Sequence, residues 1–160
     1  MAVDMFLDIE GVKGESLDRT HKGKIDILAW NWGLANTGTF HQGHGGGGGK
    51  ASFQNLAIKK YIDAATPELM RSCANGKHFE KGKVIVRKAG EHPLEYLIID
   101  LEHVFVASYS TGSRGGEERP TEDIALNFAK VKVEYATQTD KGGKGTPHVF
   151  TWNISANSKD

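Results

Sequence analysis

Ile124-Ala125-Leu126-Asn127-Phe128-Ala129-Lys130-Val131-Lys132-Val133-Glu134-Tyr135 is the stretch that decides the fold. Its first large apolar residues, Leu126 and Phe128, fall on even positions, and its later ones, Val131, Val133 and Tyr135, on odd positions. Apolar residues at every second position mark a half-buried strand. The change of phase predicts a bulge near Ala129-Lys130. The stretch from Glu95 to Ser108 slips in the same way. Tyr96 and Ile98 share one parity, Leu97, Ile99, Leu101 and Phe105 hold the other, and Val104 and Val106 return to the first. Long strands that bend are what a barrel requires.

Outward from these strands, Val3, Met5, Leu7 and Ile9 alternate with Asp4, Asp8 and Glu10, and residues 11–24 read as a polar connecting loop. Ile25 to Trp32 reads as one strand, apolar on both sides. Indoles bring the most buried area, so the side with Leu28, Trp30 and Trp32 is the expected core side. Ala29, Asn31 and Gly33 then point away from the core. Ser52 to Ile58, Lys83 to Lys88 and Val149 to Ile154 are further strands. The one helix is expected at about residues 67–75: Thr66 can cap it, Pro67 suits its first position, and Asn75-Gly76 supplies a left-handed stop. Leu69, Met70 and Cys73 would form its buried stripe. These readings predict a mainly β chain with one domain over residues 1–160. Its expected form is a closed or nearly closed antiparallel barrel with one short flanking α-helix, and Trp30, Trp32, Leu126, Phe128 and Trp152 in its core.

Between two strand-like stretches lies Thr39-Phe40-His41-Gln42-Gly43-His44, followed by Gly45, Gly46, Gly47, Gly48, Gly49 and Lys50. Glycine loses the most conformational entropy on ordering, so this arm is expected to take its shape from a partner. A phosphate-cradling loop does not fit. Anchored on Gly49-Lys50, that pattern would put His44 at the first glycine and Ala51 at the magnesium-binding hydroxyl, and a strand follows where a helix should. The reading is a long hairpin loop that docks on another surface.

The chain has 160 residues, with 20 basic and 20 acidic side chains. Zero formal net charge lacks the basic excess of a nucleic-acid binder and weakens self-repulsion between copies. The amino terminus carries acids where a signal peptide needs bases, which predicts a cytosolic start. No apolar stretch approaches the ~20 residues of a membrane-spanning helix, so no membrane insertion is expected. Cys73 is the only cysteine, which excludes an intrachain disulfide.

No catalytic, cofactor or metal site emerges. His41 and His44 are the one close histidine pair, and no nearby Cys, Asp or Glu completes a zinc site. Cys73 has no histidine placed to activate it. Glu117-Glu118 sits among Arg114 and Arg119 as a charge cluster, and no nucleophile-elbow pattern occurs. A non-enzyme is expected; a monomeric cytosolic barrel holding a small ligand is the alternative.

The order and spacing of several short motifs resemble the haemolysin-coregulated proteins, tube subunits of the bacterial type VI secretion system. They include Val12-Lys13-Gly14-Glu15-Ser16, Leu28-Ala29-Trp30-Asn31-Trp32-Gly33, the glycine loop, Lys60-Tyr61-Ile62-Asp63, Thr66-Pro67, Arg87-Lys88-Ala89-Gly90, Leu126-Asn127-Phe128-Ala129 and Trp152-Asn153-Ile154. The resemblance implies a barrel assembled as a homohexameric ring whose copies stack into a hollow tube. It also implies a contractile sheath around the tube, a spike protein at its tip, and small effector proteins held in the lumen. Under that resemblance Ala29, Asn31 and Gly33 face the lumen and Thr39 to Lys50 form the ring-stacking arm. The protein would be cytoplasmic before firing and then exported without a signal peptide.

Overall fold

A computed structural model describes residues 3–38 and 47–160. In chain order its elements are β1 (Val3–Ile9), β2 (Ile25–Asp26), β3 (Ala29–Asn31), β4 (Leu34–Ala35), β5 (Ser52–Phe53), β6 (Leu56–Tyr61), α1 (Thr66–Asn75), β7 (Phe79–Lys88), β8 (Leu94–Gly112), β9 (Thr121–Asn127), β10 (Lys130–Gln138) and β11 (Lys144–Asn153). All strand pairs are antiparallel, and a nine-stranded sheet runs in the order β2-β1-β7-β8-β9-β6-β3, with β10 between β8 and β11.

The fold turns on β8. Its first half pairs with β7 and β10, and its second half pairs with β9. At the junction His103 takes a left-handed backbone, φ 55°. Leu101 before it and Val104 after it are both buried, so the slip in parity read from the sequence is this single residue. On the neighbouring strand the expected bulge is instead a full break. Phe128 and Ala129 separate β9 from β10, because the chain there leaves the β6–β9 half of the sheet for the β8–β10 half.

Ile25 to Trp32 is corrected in the same sense. It is not one strand: Ile27 N–H donates to Met5 O at 3.1 Å, while Leu28 N–H donates to Lys59 O at 2.8 Å. The segment thus crosses from β1 to β6 between these residues, and its phase resets. Ile25 and Ile27 are buried and Leu28 is exposed, the reverse of the side chosen from its indoles. Pairing therefore does not close the barrel. The open ends, β2 and β3, are consecutive on the chain and meet at this crossing. Ser52 to Ile58 likewise divides into β5 and β6 at Gln54-Asn55.

Leu126 and Phe128 lie in the apolar cluster with Leu7, Ile9, Leu56 and Val104. Trp30, Trp32 and Trp152 are only half-buried and pack against its rim. The reason is topological: β3 and β11 each pair with one strand only, so their inward side chains meet the core from its margin.

Helix α1 begins at Thr66 with Pro67 in its first turn and ends at Gly76, whose φ of 73° is the left-handed conformation that glycine accepts without strain. Its buried residues are Thr66, Leu69 and Ser72. Met70 is exposed and Cys73 half-buried, so the expected stripe was rotated by about one position. Ser72 takes the buried place because its hydroxyl donates to Lys77 O at 2.7 Å and accepts from Val106 N–H at 3.2 Å. Thr66 does not cap α1; its hydroxyl is used elsewhere.

Candidate assembly surfaces

The exposed face of the sheet half formed by β3, β6, β9 and the end of β8 is built from small and polar side chains. Register aligns Asn31 with Ala57, and Ala57 with Ala125. It also aligns Ala29 with Lys59, Lys59 with Asp123, and Asp123 with Ser110. Asn127 donates to Asn55 at 2.9 Å at one end of this face. Ala29 and Asn31 are exposed on it, and Gly33 lies beside it against the Gln54 side chain. Alternation along β6 and β9 produces this surface, since Leu56, Ile58, Ile124 and Leu126 fill the opposite side.

The arm leaves the same end. Its root is a two-stranded ladder, β4 with β5, extended by a bridge between Gly38 and Gly48. Asn36 donates to Gly49 O at 2.6 Å, and Gly49 N–H donates to Thr37 O at 3.2 Å. A Cβ on Gly49 would come within 2.3 Å of Thr37 Oγ1 and 3.2 Å of Thr37 O, so a larger residue there would force Thr37 to shift. Gly47, Gly48, Gly49 and Lys50 are exposed, while Thr39, Phe40, His41, Gln42, Gly43, His44, Gly45 and Gly46 lie outside the described residues.

One feature escaped the sequence reading. Lys60 and Glu122, direct partners in the β6–β9 register, are both fully buried and bonded to each other. Lys60 Nζ also donates to Asp63 Oδ1 and Tyr61 O, each at 2.9 Å. Glu122 accepts from Thr66 Oγ1 at 2.9 Å and from Tyr109 Oη at 2.5 Å. Asp63 in turn accepts from Ala65 N–H at 2.9 Å. Burial, reinforced by the Glu122 carboxylate, pushes the Tyr109 phenol up to about 12. The cluster joins the start of α1 to β6, β8 and β9. Its signal was present in the parity: Lys60 follows Leu56 and Ile58, and Glu122 precedes Ile124 and Leu126.

On the other half of the sheet, the loop between β1 and β2 folds back so that His21 meets Phe6. It is held by Arg87, which donates to Asp18 at 2.5 Å and 3.0 Å and to Asp4 at 3.0 Å. The guanidinium holds the Asp18 carboxyl well below the usual carboxylate range. His21 packs against Phe6 with its ring tilted by 34° and bonds Glu95 at 2.5 Å.

The chain matches the family described as type VI secretion system effector, Hcp, over residues 6–135. It is 53% identical to Protein hcp1 of Pseudomonas aeruginosa over 159 residues, covering 98% of both chains. A solved structure titled as a type six secretion system protein superposes with a TM-score of 0.93 at 30% identity, over 99% of this chain and 100% of that one. Hcp1 from Salmonella typhimurium superposes with a TM-score of 0.81 at 35% identity, over 100% of both chains. The mainly β fold, the bent sheet with its single short helix and the matched sequence agree, and the chain belongs to the Hcp family of type VI secretion proteins.

Proposed function

We propose that this chain is the building block of a type VI secretion tube. Six copies close into a ring, with the small, polar face around Ala29, Asn31 and Gly33 turned to the lumen. Rings stack through the hairpin arm from Thr39 to Lys50. A sheath surrounds the tube, a spike caps it, and small effector proteins travel inside. The protein is made in the cytoplasm and leaves it when the tube is fired.

The observation that carries this reading is the contrast between that face and the barrel interior. The interior is filled with apolar side chains, which leaves its outside surfaces as the working ones. A wall of alanine, serine and asparagine around the matched Lys59–Asp123 pair is smooth and hydrated, so it can hold a folded cargo by many weak polar contacts and release it. The hairpin arm supports stacking in the same spirit: its backbone groups need partners that a neighbouring ring can supply.

Light scattering at increasing protein concentration tests the ring, which should give a particle near six times the mass of one chain; a monomer at all concentrations would refute it. Shortening the glycine run should spare the ring and abolish tubes and export together. Asn31→Trp should leave rings intact and lower recovery of co-purifying small proteins. Unchanged recovery would remove Asn31 from the lumen.

A further inference from the structure

Asparagine stands before glycine once in this chain, at Asn75-Gly76; the other six asparagines precede Trp32, Thr37, Leu56, Phe128, Ile154 and Ser158. The difference matters because a backbone nitrogen can attack the side-chain amide of the residue before it, and only glycine brings no Cβ into that ring closure. The pair lies at the end of α1, where Asn75, Gly76 and Lys77 are all exposed and a Cβ built on Gly76 would meet nothing within 4 Å. Water and base therefore reach it.

Two hydrogen bonds at this corner act in opposite directions. Lys77 N–H donates to Asn75 Oδ1 at 2.8 Å, which turns the side chain over the Gly76 peptide and places a donor where negative charge grows on that oxygen during attack. Gly76 N–H, the attacking group, instead donates to Ser72 O at 2.8 Å as the helix cap. While that bond holds, the nitrogen keeps its proton and stays with the helix. Ser72 is fully buried, its hydroxyl donating to Lys77 O at 2.7 Å and accepting from Val106 N–H at 3.2 Å, so one side chain ties the corner to β8.

We propose that Asn75 is a site of spontaneous conversion to aspartate and isoaspartate, gated by opening of the last turn of α1. When the Ser72–Gly76 bond opens, hydroxide takes the Gly76 amide proton and the nitrogen attacks Asn75 Cγ. The new N–C bond forms, the bond from Cγ to the side-chain nitrogen breaks, and ammonia leaves with a proton from water, giving a cyclic imide. Water then opens either carbonyl of that ring to aspartate or isoaspartate, and nothing is oxidised or reduced. The isoaspartate form has an extra main-chain atom before Gly76, so Gly76 N–H no longer caps Ser72 O and Lys77 O moves off the Ser72 hydroxyl. Both products place a carboxylate at the negative end of the helix dipole, where the last turn of α1 has no basic residue to offset it. Conversion therefore loosens the joint between α1 and β8.

The test is peptide mapping by mass spectrometry of the full-length protein after incubation at mildly alkaline pH, with isoaspartate identified by its separate chromatographic peak. A free peptide spanning Met70 to Glu80 serves as the ungated reference, since so short a helix is marginal in water. Asn75 should convert before any other asparagine, at a rate about tenfold below that of the peptide, as expected of a site that reacts only when locally opened. Asn75→Gln should remove the modified species. Ser72→Ala, which cuts both ties to the corner, should raise the rate severalfold. Should that variant not fold, the unsubstituted protein in urea below its unfolding transition supplies the same opening and should show the same acceleration. Earlier conversion of another asparagine, no conversion at Asn75, a folded-state rate equal to that of the peptide, or a rate unmoved by both Ser72→Ala and dilute urea would each overturn the proposal.

Discussion

Two lysine–carboxylate pairs sit side by side on the same two strands and do opposite things. Lys60 and Glu122 point into the barrel and are fully buried, whereas Lys59 and Asp123, one residue along, point out and meet at 3.6 Å in solvent. The chemistry and the register are the same. Only the side of the sheet differs. Inside, both charges have lost water and are held by Asp63, Thr66, Tyr109 and a backbone carbonyl, so removing either one leaves buried polar groups short of a partner. Outside, water screens the pair and leaves each group free to meet another molecule. Within this fold a buried ion pair fixes the joint between helix and sheet, and an exposed one decorates a working face.

The comparison can be broken from its stronger side. Glu122→Ala should lower unfolding stability by about 3–5 kcal/mol in chemical denaturation, because it takes one carboxylate from buried Lys60 and the shared acceptor from Thr66 and Tyr109. Lys60→Met combined with Glu122→Leu should recover only part of that loss, because an apolar pair replaces two charges but leaves Asp63 without its cation and Thr66 and Tyr109 without their acceptor. If the double variant were as unstable as the single one, the cluster would be worth more as a network than as a pair. Leu126→Ala, in the cluster beside it, should cost about 2–5 kcal/mol. Trp30→Ala should cost less than a fully buried tryptophan would, because the indole sits at the rim of the core.

Alkaline pH sharpens the same contrast. The Tyr109 phenol ionises near 10.0 when unperturbed and is pushed up to about 12 here by burial and by Glu122. The folded protein therefore holds this proton more tightly than the unfolded chain. Its contribution is complete below about pH 10 and is lost as the pH rises toward about 12. Tyr109→Phe should flatten that part of the stability curve, and an unchanged slope would detach the phenol from the cluster. The smallest effect belongs to the outside pair: Asp123→Ala should change stability by at most about 1 kcal/mol.

Much of the fold was legible because strand parity is a local property. The slips near Ala129 and within Glu95 to Ser108 marked the places where strands pass from one half of the sheet to the other. The crossing at Ile27–Leu28 was hidden, since a segment apolar on both sides gives no parity to break, and its tryptophans marked the inward side only for the part after the crossing. Met70 was misplaced because Ser72 is buried through bonds to Lys77, just past the helix, and to Val106, which is distant in sequence. The buried ions were overlooked for a different reason. A lysine in a strand is ordinarily solvated, and only its shared parity with Leu56 and Ile58 argued otherwise.

The central claim is that the face bearing Asn31 lines the inside of a ring while the face bearing Lys132 looks out. Single cysteines at these positions, Asn31→Cys and Lys132→Cys, each in a Cys73→Ala background, test it directly when labelled with a small maleimide and with the same maleimide attached to a protein-sized carrier. The account predicts that the small reagent modifies both sites in the assembled protein, and that the large one modifies only Lys132→Cys until assembly is disrupted by denaturant. Equal access of the large reagent to Asn31→Cys in assembled rings would contradict it.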